Sequence, residues 1–69
     1  MKKLTNRQIE VLDLLSCGFS NNEIAEKLNI SIHTVKKHLE QIFEILEVTS
    51  RVQAAVMAVK YGYIHFDEL

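Results

Sequence analysis

Residues 20–38 read SNNEIAEKLNISIHTVKKH and contain two short amphipathic segments separated by a tight corner. Leu28 ends the apolar face of the first segment, and Val35 resumes an apolar face after a turn over residues 29–31. Ala25 is small, as expected where two helices that cross at roughly 90–120° bring their backbones together. The stretch therefore predicts a helix-turn-helix.

Helix starts are marked by capping-box spacing, in which a Ser or Thr is followed three residues later by Glu or Gln. Three such pairs occur: Thr5 with Gln8, Ser20 with Glu23, and Ser50 with Gln53. Ser31 is a fourth N-cap without the reciprocal partner, and Gly18 and Gly62 stand where helices would end in a left-handed residue. These signals predict an all-α domain over residues 1–69 with four helices, at about 6–17, 21–28, 32–46 and 51–61.

Composition places the chain among ordinary small globular domains, with 69 residues, 48% hydrophobic and 25% charged. A net charge of −1 neither favours nor excludes a nucleic-acid partner. No apolar run approaches the roughly 20 residues that span a bilayer, and no hydrophobic segment follows the N-terminal charges as in a secretory signal. We expect no membrane partner and a cytoplasmic location, with the single Cys17 as a small buried residue.

Apolar periodicity predicts which side chains form the core. The expected inward residues are Ile9, Val11, Leu12 and Leu15 or Ser16 in the first helix, Ile24, Ala25 and Leu28 in the second, Val35, Leu39, Ile42 and Leu46 in the third, and Ala54, Ala55 and Ala58 in the fourth. Just outside the helices, Leu4, Phe19, Ile30 and Val48 are expected to plug the corners. His38 lies beside the buried row of the third helix, where we expect a packed, hydrogen-bonded residue instead of a metal ligand.

Five segments occur in a fixed order: LTNRQIEVL (4–12), GFSNNEIA (18–25), LNIS (28–31), TVKKH (34–38) and VTSR (48–51). Together they resemble the LuxR/FixJ-type DNA-binding domain of bacterial transcription regulators, over about residues 4–64 without a gap. The resemblance implies a helix-turn-helix at about 21–40 whose third helix enters the major groove, with the helix at 51–61 as a dimer contact. It also implies either a stand-alone regulator or the output domain of a response regulator.

Candidate DNA contacts follow from helix geometry together with this resemblance. A helix N-terminus offers free N–H groups and a partial positive charge to phosphate. Outward side chains near the front of the third helix can reach base edges, and a lysine can donate to guanine. The phosphate candidates are Ser20, Asn21, Asn22, Ser31 and Thr34; the base candidates are His33, Lys36, Lys37, Glu40 and Gln41, with Lys36 and Lys37 leading.

Three residues depart from what relatives usually carry: Glu40 replaces a basic or neutral residue, Ile45 a lysine, and Gln8 a glutamate. Glu40 repels phosphate but can accept from cytosine N4. Residues 20–46 contain three lysines and four glutamates, a net charge of −1. Because so few cations neutralise few phosphates, we expect weak non-specific affinity and binding as a homodimer.

The fourth helix carries an apolar stripe that the core does not need, which is typical of a partner surface. Its candidate dimer residues are Val52, Val56, Met57 and Val59. The alternative is that the tail at 63–66 folds back over this stripe.

The expected function is sequence-specific binding of double-stranded DNA by a bacterial transcription regulator. RNA polymerase is a candidate further partner. A different-class alternative is a protein-interaction module on the same scaffold, favoured by Glu40 and Ile45. An enzyme is not expected, because there is no glycine-rich phosphate loop, no nucleophile with a plausible base and no paired carboxylates in a cleft. No cofactor, metal or small-molecule ligand is expected either, since the His and Cys residues lack zinc spacing.

Overall fold

The computed structural model describes residues 3–64, which fold into four α-helices and contain no strand. They are α1 (Asn6–Ser16), α2 (Asn21–Leu28), α3 (Ile32–Leu46) and α4 (Arg51–Lys60). The all-α prediction is confirmed, and each predicted helix boundary is within one residue of the observed one. The alternative to a partner surface on α4 is that the tail at 63–66 covers the stripe; of this tail, Ile64 is buried in the core and Tyr63 is partly buried, whereas His65 and Phe66 lie outside the described residues.

The first two helices begin with the predicted capping boxes. At α1, the Gln8 N–H donates to Thr5 Oγ1 at 3.1 Å while the Thr5 N–H donates to Gln8 Oε1 at 2.9 Å. At α2, Ser20 and Glu23 exchange the same two bonds, at 3.2 and 2.8 Å. Each box satisfies two backbone N–H groups that the helix itself leaves without partners.

The third predicted capping box, at α4, forms only in part. The Gln53 N–H donates to Ser50 Oγ at 3.1 Å, as expected. The Gln53 side chain instead reaches one residue further back, where its Oε1 accepts from the Thr49 N–H at 2.8 Å and from the Thr49 hydroxyl at 3.2 Å. The prediction of a reciprocal bond to the Ser50 backbone is therefore wrong.

Left-handed residues follow all four helices, but only two of them are glycines. Gly18 and Gly62 have φ of +93° and +77°, as predicted. Asn29 and Glu47 both have φ of +57° and were not predicted from sequence. Asparagine tolerates this region comparatively well, whereas a glutamate adopts it at a cost of about 1–2 kcal/mol.

The core is organised around α1 and α3, each of which contacts the three other helices. The buried residues are Leu4, Val11, Leu12, Leu15, Ile24, Val35, Leu39, Ile42, Leu46, Ala54, Ala58 and Ile64. The predicted row of α3 is thus confirmed in full. The other predicted inward residues, Ala25, Leu28 and Ala55, and the corner residues Phe19, Ile30 and Val48, pack against this cluster while partly buried.

Two predictions for α1 need correction. Ile9 is only half-buried, and Gln8 occupies the buried row beside Val11 and Leu12 instead. Cys17 is exposed, not buried. It is the C-cap residue, beyond the last full turn of α1, so the helical periodicity that placed it inward no longer holds there.

We predict that Glu47→Gly stabilises the protein. Glycine removes the left-handed strain of about 1–2 kcal/mol but loses about 0.5–1 kcal/mol more chain entropy on folding, so the free energy of unfolding should rise by roughly 0.5–1 kcal/mol. Urea denaturation measures the change. The matched control is Glu44→Gly inside α3, which should lower the free energy of unfolding by about 1 kcal/mol. Equal losses in both variants would show that Glu47 is not strained.

Candidate nucleic-acid interface

The outer face of α3 carries every base-contact candidate. His33, Lys36, Lys37, Glu40 and Gln41 are all exposed, while the opposite face of the helix is buried. This separation follows from the amphipathic spacing, because residues three or four apart share a face. The structure therefore brings the five candidates together on one helix surface.

His38 lies at the border of that surface and is half-buried. Its Nδ1 atom is fully buried and forms no hydrogen bond with the residues that the structure describes. The prediction of a packed residue is confirmed, but the predicted hydrogen bond does not form at this nitrogen.

The N-terminus of α3 presents backbone donors without a neutralising carboxylate. Ser31 Oγ accepts from the Thr34 N–H at 3.0 Å, and the two hydroxyls lie 2.9 Å apart. No acidic side chain occurs in the first turn. Within residues 3–64, the N–H groups of Ile32 and His33 have no hydrogen-bond partner. This helix end can accept an anion through N–H groups and the helix dipole.

The N-terminus of α2 differs, because it already holds charges of both signs. Glu23 in its first turn partly offsets the helix dipole. Arg51, at the start of α4, extends across to it: Nη1 donates to Asn21 Oδ1 at 2.7 Å and Nη2 donates to the Phe19 carbonyl at 2.8 Å. Asn21, a predicted phosphate contact, thus has its side-chain oxygen occupied, whereas Asn22 and Ser20 are exposed.

Arg51 lies against the candidate site, although it is not among the residues predicted for it. It lies within the VTSR segment that carries part of the family resemblance, but it is 30 positions from Asn21. No local spacing rule joins residues so far apart. Its guanidinium adds a cation beside Asn21 at the start of α2, which only the fold reveals.

The region around the two helix starts carries a small net negative charge. Lys27 lies over the Phe19 ring, with Nζ 4.7 Å from the ring centroid, a distance that permits a cation–π interaction. Counting from residue 20 to 51, Lys27, Lys36, Lys37 and Arg51 oppose five glutamates, which gives a net charge of −1. Affinity for a polyanion must therefore come from where the cations stand and not from their number.

A hydrogen bond links α1 to the outer face of α3. Gln8 Nε2 donates to Gln41 Oε1 at 2.8 Å. Gln41 is exposed, yet its carbonyl oxygen is directed toward α1 by this bond.

The stripe on α4 is exposed as predicted. Val52, Val56 and Val59 are 74%, 58% and 46% exposed, and Met57 is partly buried. Shallow apolar grooves flank Val56 on both sides, one formed with Ala55 and the other with Val48. Along residues 3–64 the structure has no helix long and apolar enough to cross a membrane, and no group of three or more potential metal ligands.

Comparison with known proteins agrees with this geometry. Residues 2–58 match the family model described as bacterial regulatory proteins, luxR family. The chain is 52% identical to the transcriptional regulatory protein LnrK of Bacillus subtilis over 86% of its own length and 27% of that protein. It is 44% identical to the response regulator VraR of Staphylococcus aureus over 88% of its length and 29% of that protein.

A solved structure is also similar. The response regulator ChrA of a heme-sensing two-component system superposes with a TM-score of 0.89 at 41% sequence identity, over 93% of this chain and 32% of that one. The chain thus spans less than a third of the length of each of these relatives. The agreement of family model, sequence identity and fold shows that the chain belongs to the luxR family of bacterial regulatory proteins.

Proposed function

We propose that this chain binds double-stranded DNA sequence-specifically and thereby regulates transcription in a bacterium. The observation that carries the proposal is the outer face of α3, where Lys36 and Lys37 stand exposed one turn from a helix N-terminus without a carboxylate. An α-helix of this kind fits the major groove, and its front side chains reach base edges. The names of the relatives, transcriptional regulatory protein and response regulator, support the same role.

Base reading is assigned to the exposed side chains of α3. Lys36 and Lys37 can donate to guanine O6 or N7, and a good contact of this kind contributes about 1–3 kcal/mol of discrimination. Glu40 can accept from cytosine N4 and repels the backbone, so it restricts the sequences that bind. His33 and Gln41 are the remaining candidate base contacts on this face.

Phosphate contacts are assigned to the two helix starts. Ser31 and Thr34 stand at the N-terminus of α3, where the backbone N–H groups and the dipole favour an anion. At α2, the Glu23 carboxylate partly offsets the positive end of the helix dipole, and Arg51 restores positive charge there. The N–H groups of Asn21 and Asn22 provide further donors. Arg51 is therefore the strongest candidate phosphate ligand at the N-terminus of α2.

Binding by two copies follows from the small number of cations. Each phosphate neutralised contributes to affinity, and one copy has few to offer at cellular salt. The exposed Val52, Val56 and Val59 provide an apolar surface through which a second copy can pack.

A regulator that activates genes also contacts RNA polymerase, and a DNA-bound role places the protein in the cytoplasm.

We predict that Lys36→Ala and Lys37→Ala each weaken binding to a selected duplex by about 5- to 150-fold, which corresponds to 1–3 kcal/mol per contact. The wild-type chain, incubated with a random duplex pool at moderate salt, should first enrich a two-fold symmetric site. Anisotropy with that site then measures the variants. Lys60→Ala, which removes the same charge from the end of α4, is the control and should change affinity less than twofold. No enrichment by wild type even at low salt would reject the proposal and leave the protein-interaction alternative.

Arg51→Ala should weaken binding to all duplexes alike, because phosphates carry no sequence information. The slope of log affinity against log salt should become shallower by about 0.9 for each copy bound. Arg51→Lys keeps the charge and should keep the slope, although it cannot bridge Asn21 and Phe19 as the guanidinium does. If Arg51→Ala left the slope unchanged, Arg51 would have only a structural role.

For the dimer, we predict that Val56→Glu raises the dimer dissociation constant at least tenfold, because a charge would be buried in an apolar interface. Sedimentation velocity with and without the selected duplex measures assembly. Gln53→Glu adds the same charge beside the stripe, retains an acceptor for the Thr49 N–H, and should assemble like wild type. A wild-type chain that is monomeric at high concentration in both conditions would show that the stripe is not a dimer surface.

A further inference from the structure

Gln8 is the one buried polar side chain among residues 3–64, with 6% of its surface exposed. It belongs to α1 and therefore lies outside the helix-turn-helix. Both ends of its amide are engaged: Oε1 accepts from the Thr5 N–H at 2.9 Å, and Nε2 donates to Gln41 Oε1 at 2.8 Å. A buried amide satisfied at both ends is held in a single orientation.

The direction of this hydrogen-bond chain is fixed by the backbone. Thr5 presents an N–H group, which can only donate, so the oxygen of Gln8 must face it. If the Gln8 amide were turned over, its NH₂ group would face the Thr5 N–H donor, and the capping box of α1 would lose its bond from the Thr5 N–H while keeping the bond from the Gln8 backbone N–H. The NH₂ group of Gln8 therefore has to point toward α3, where it requires an acceptor.

Gln41 supplies that acceptor and is oriented as a result. Its oxygen faces α1, and its NH₂ group has no hydrogen-bond partner within the described part of the chain. Ile45 lines the same cleft between α1 and α3 and offers Gln8 no hydrogen bond; Glu44 and Lys3 also line this cleft, but the Gln8 NH₂ group bonds to Gln41. An unconstrained glutamine can read adenine through one donor and one acceptor together, but here the oxygen is directed away from the groove.

We propose that Gln8 is a positioning residue that sets the hydrogen-bond polarity of Gln41 on the DNA-facing surface. Gln41 then offers only donors, which fit guanine O6 or N7, adenine N7, thymine O4 or a phosphate oxygen, and it does not pair with adenine through both amide groups. The inference rests on the proposed function, since it assumes that α3 lies in the major groove. It assigns a part of the specificity to a residue that does not itself reach the DNA.

Gln8→Glu inverts this arrangement without dismantling it. A carboxylate still accepts from the Thr5 N–H, so the capping box and the stability measured in urea should be retained. Its second oxygen can only accept, so Gln41 must turn its NH₂ group inward and its oxygen outward. Selection from a random duplex pool should then show a changed base preference at one position of each half-site, in favour of the bases that donate in the major groove, adenine through N6 and cytosine through N4.

The added charge at position 8 also repels DNA, and a double-mutant cycle removes that effect. Affinity is measured for wild type, Gln8→Glu, Gln41→Ala and the double variant, on the wild-type site and on the site that Gln8→Glu selects. The ratio of the two affinities should change at least fivefold on Gln8→Glu when Gln41 is present, and less than twofold when it is alanine.

The outcomes separate this inference from the proposed function. If wild type enriches a site but Gln8→Glu selects the same bases, and its effect is equal in both backgrounds, Gln8 does not position Gln41 and the inference is overturned. If wild type enriches no duplex, the proposed function fails and the inference fails with it.

Discussion

Four apolar side chains of α3, Val35, Leu39, Ile42 and Leu46, are buried against the three other helices, and this packing fixes how α3 is rotated about its axis. A chain of 69 residues has little apolar surface to spare, so α3 cannot rotate about its axis without losing much of the core. The side chains of α3 that are not buried then form its outer face. Every candidate base contact depends on this burial, although none of them takes part in it.

The same packing explains how an acidic chain can hold a polyanion. Anion binding at the N-termini of α2 and α3 does not depend on the net charge of the chain. The N-terminus of α3 offers N–H groups and a helix dipole without a carboxylate, and the N-terminus of α2 is contacted by Arg51 from α4. Both arrangements depend on the positions of the helices, which the core packing determines. Electrostatic attraction is therefore local and short-ranged, which favours a protein that discriminates among sequences over one that coats DNA.

Local patterns in the sequence predict most of the fold. Helix boundaries, the buried row of α3 and the exposed stripe of α4 follow from caps and periodicity, which act within a few residues. Two errors lie at helix termini: Cys17 lies past the last turn of α1, and at the start of α4 Gln53 bonds to Thr49 instead of Ser50. Another lies within α1, where Gln8 is buried and Ile9 only half-buried. The left-handed conformation of Glu47 after α3 is not predicted by any local pattern.

The candidate site is predictable only as far as single helices determine it. Spacing and resemblance predict the exposed lysines of α3 and the N-caps. The bonds from Gln8 to Gln41 and from Arg51 to Asn21 join residues 33 and 30 positions apart, and they exist because tertiary packing brings different helices together. These long-range bonds orient side chains on the candidate site, and no pattern within a single helix predicts them.

The central claim, that the outer face of α3 meets DNA, is tested most directly by NMR. Amide resonances of the ¹⁵N-labelled chain would be followed during titration with a duplex selected by the protein, at moderate salt. We expect the largest shifts from Ser31 to Gln41 and at the start of α2, with smaller changes on α4 from assembly. Shifts confined to Val52, Val56 and Val59, with α3 unchanged, would contradict it.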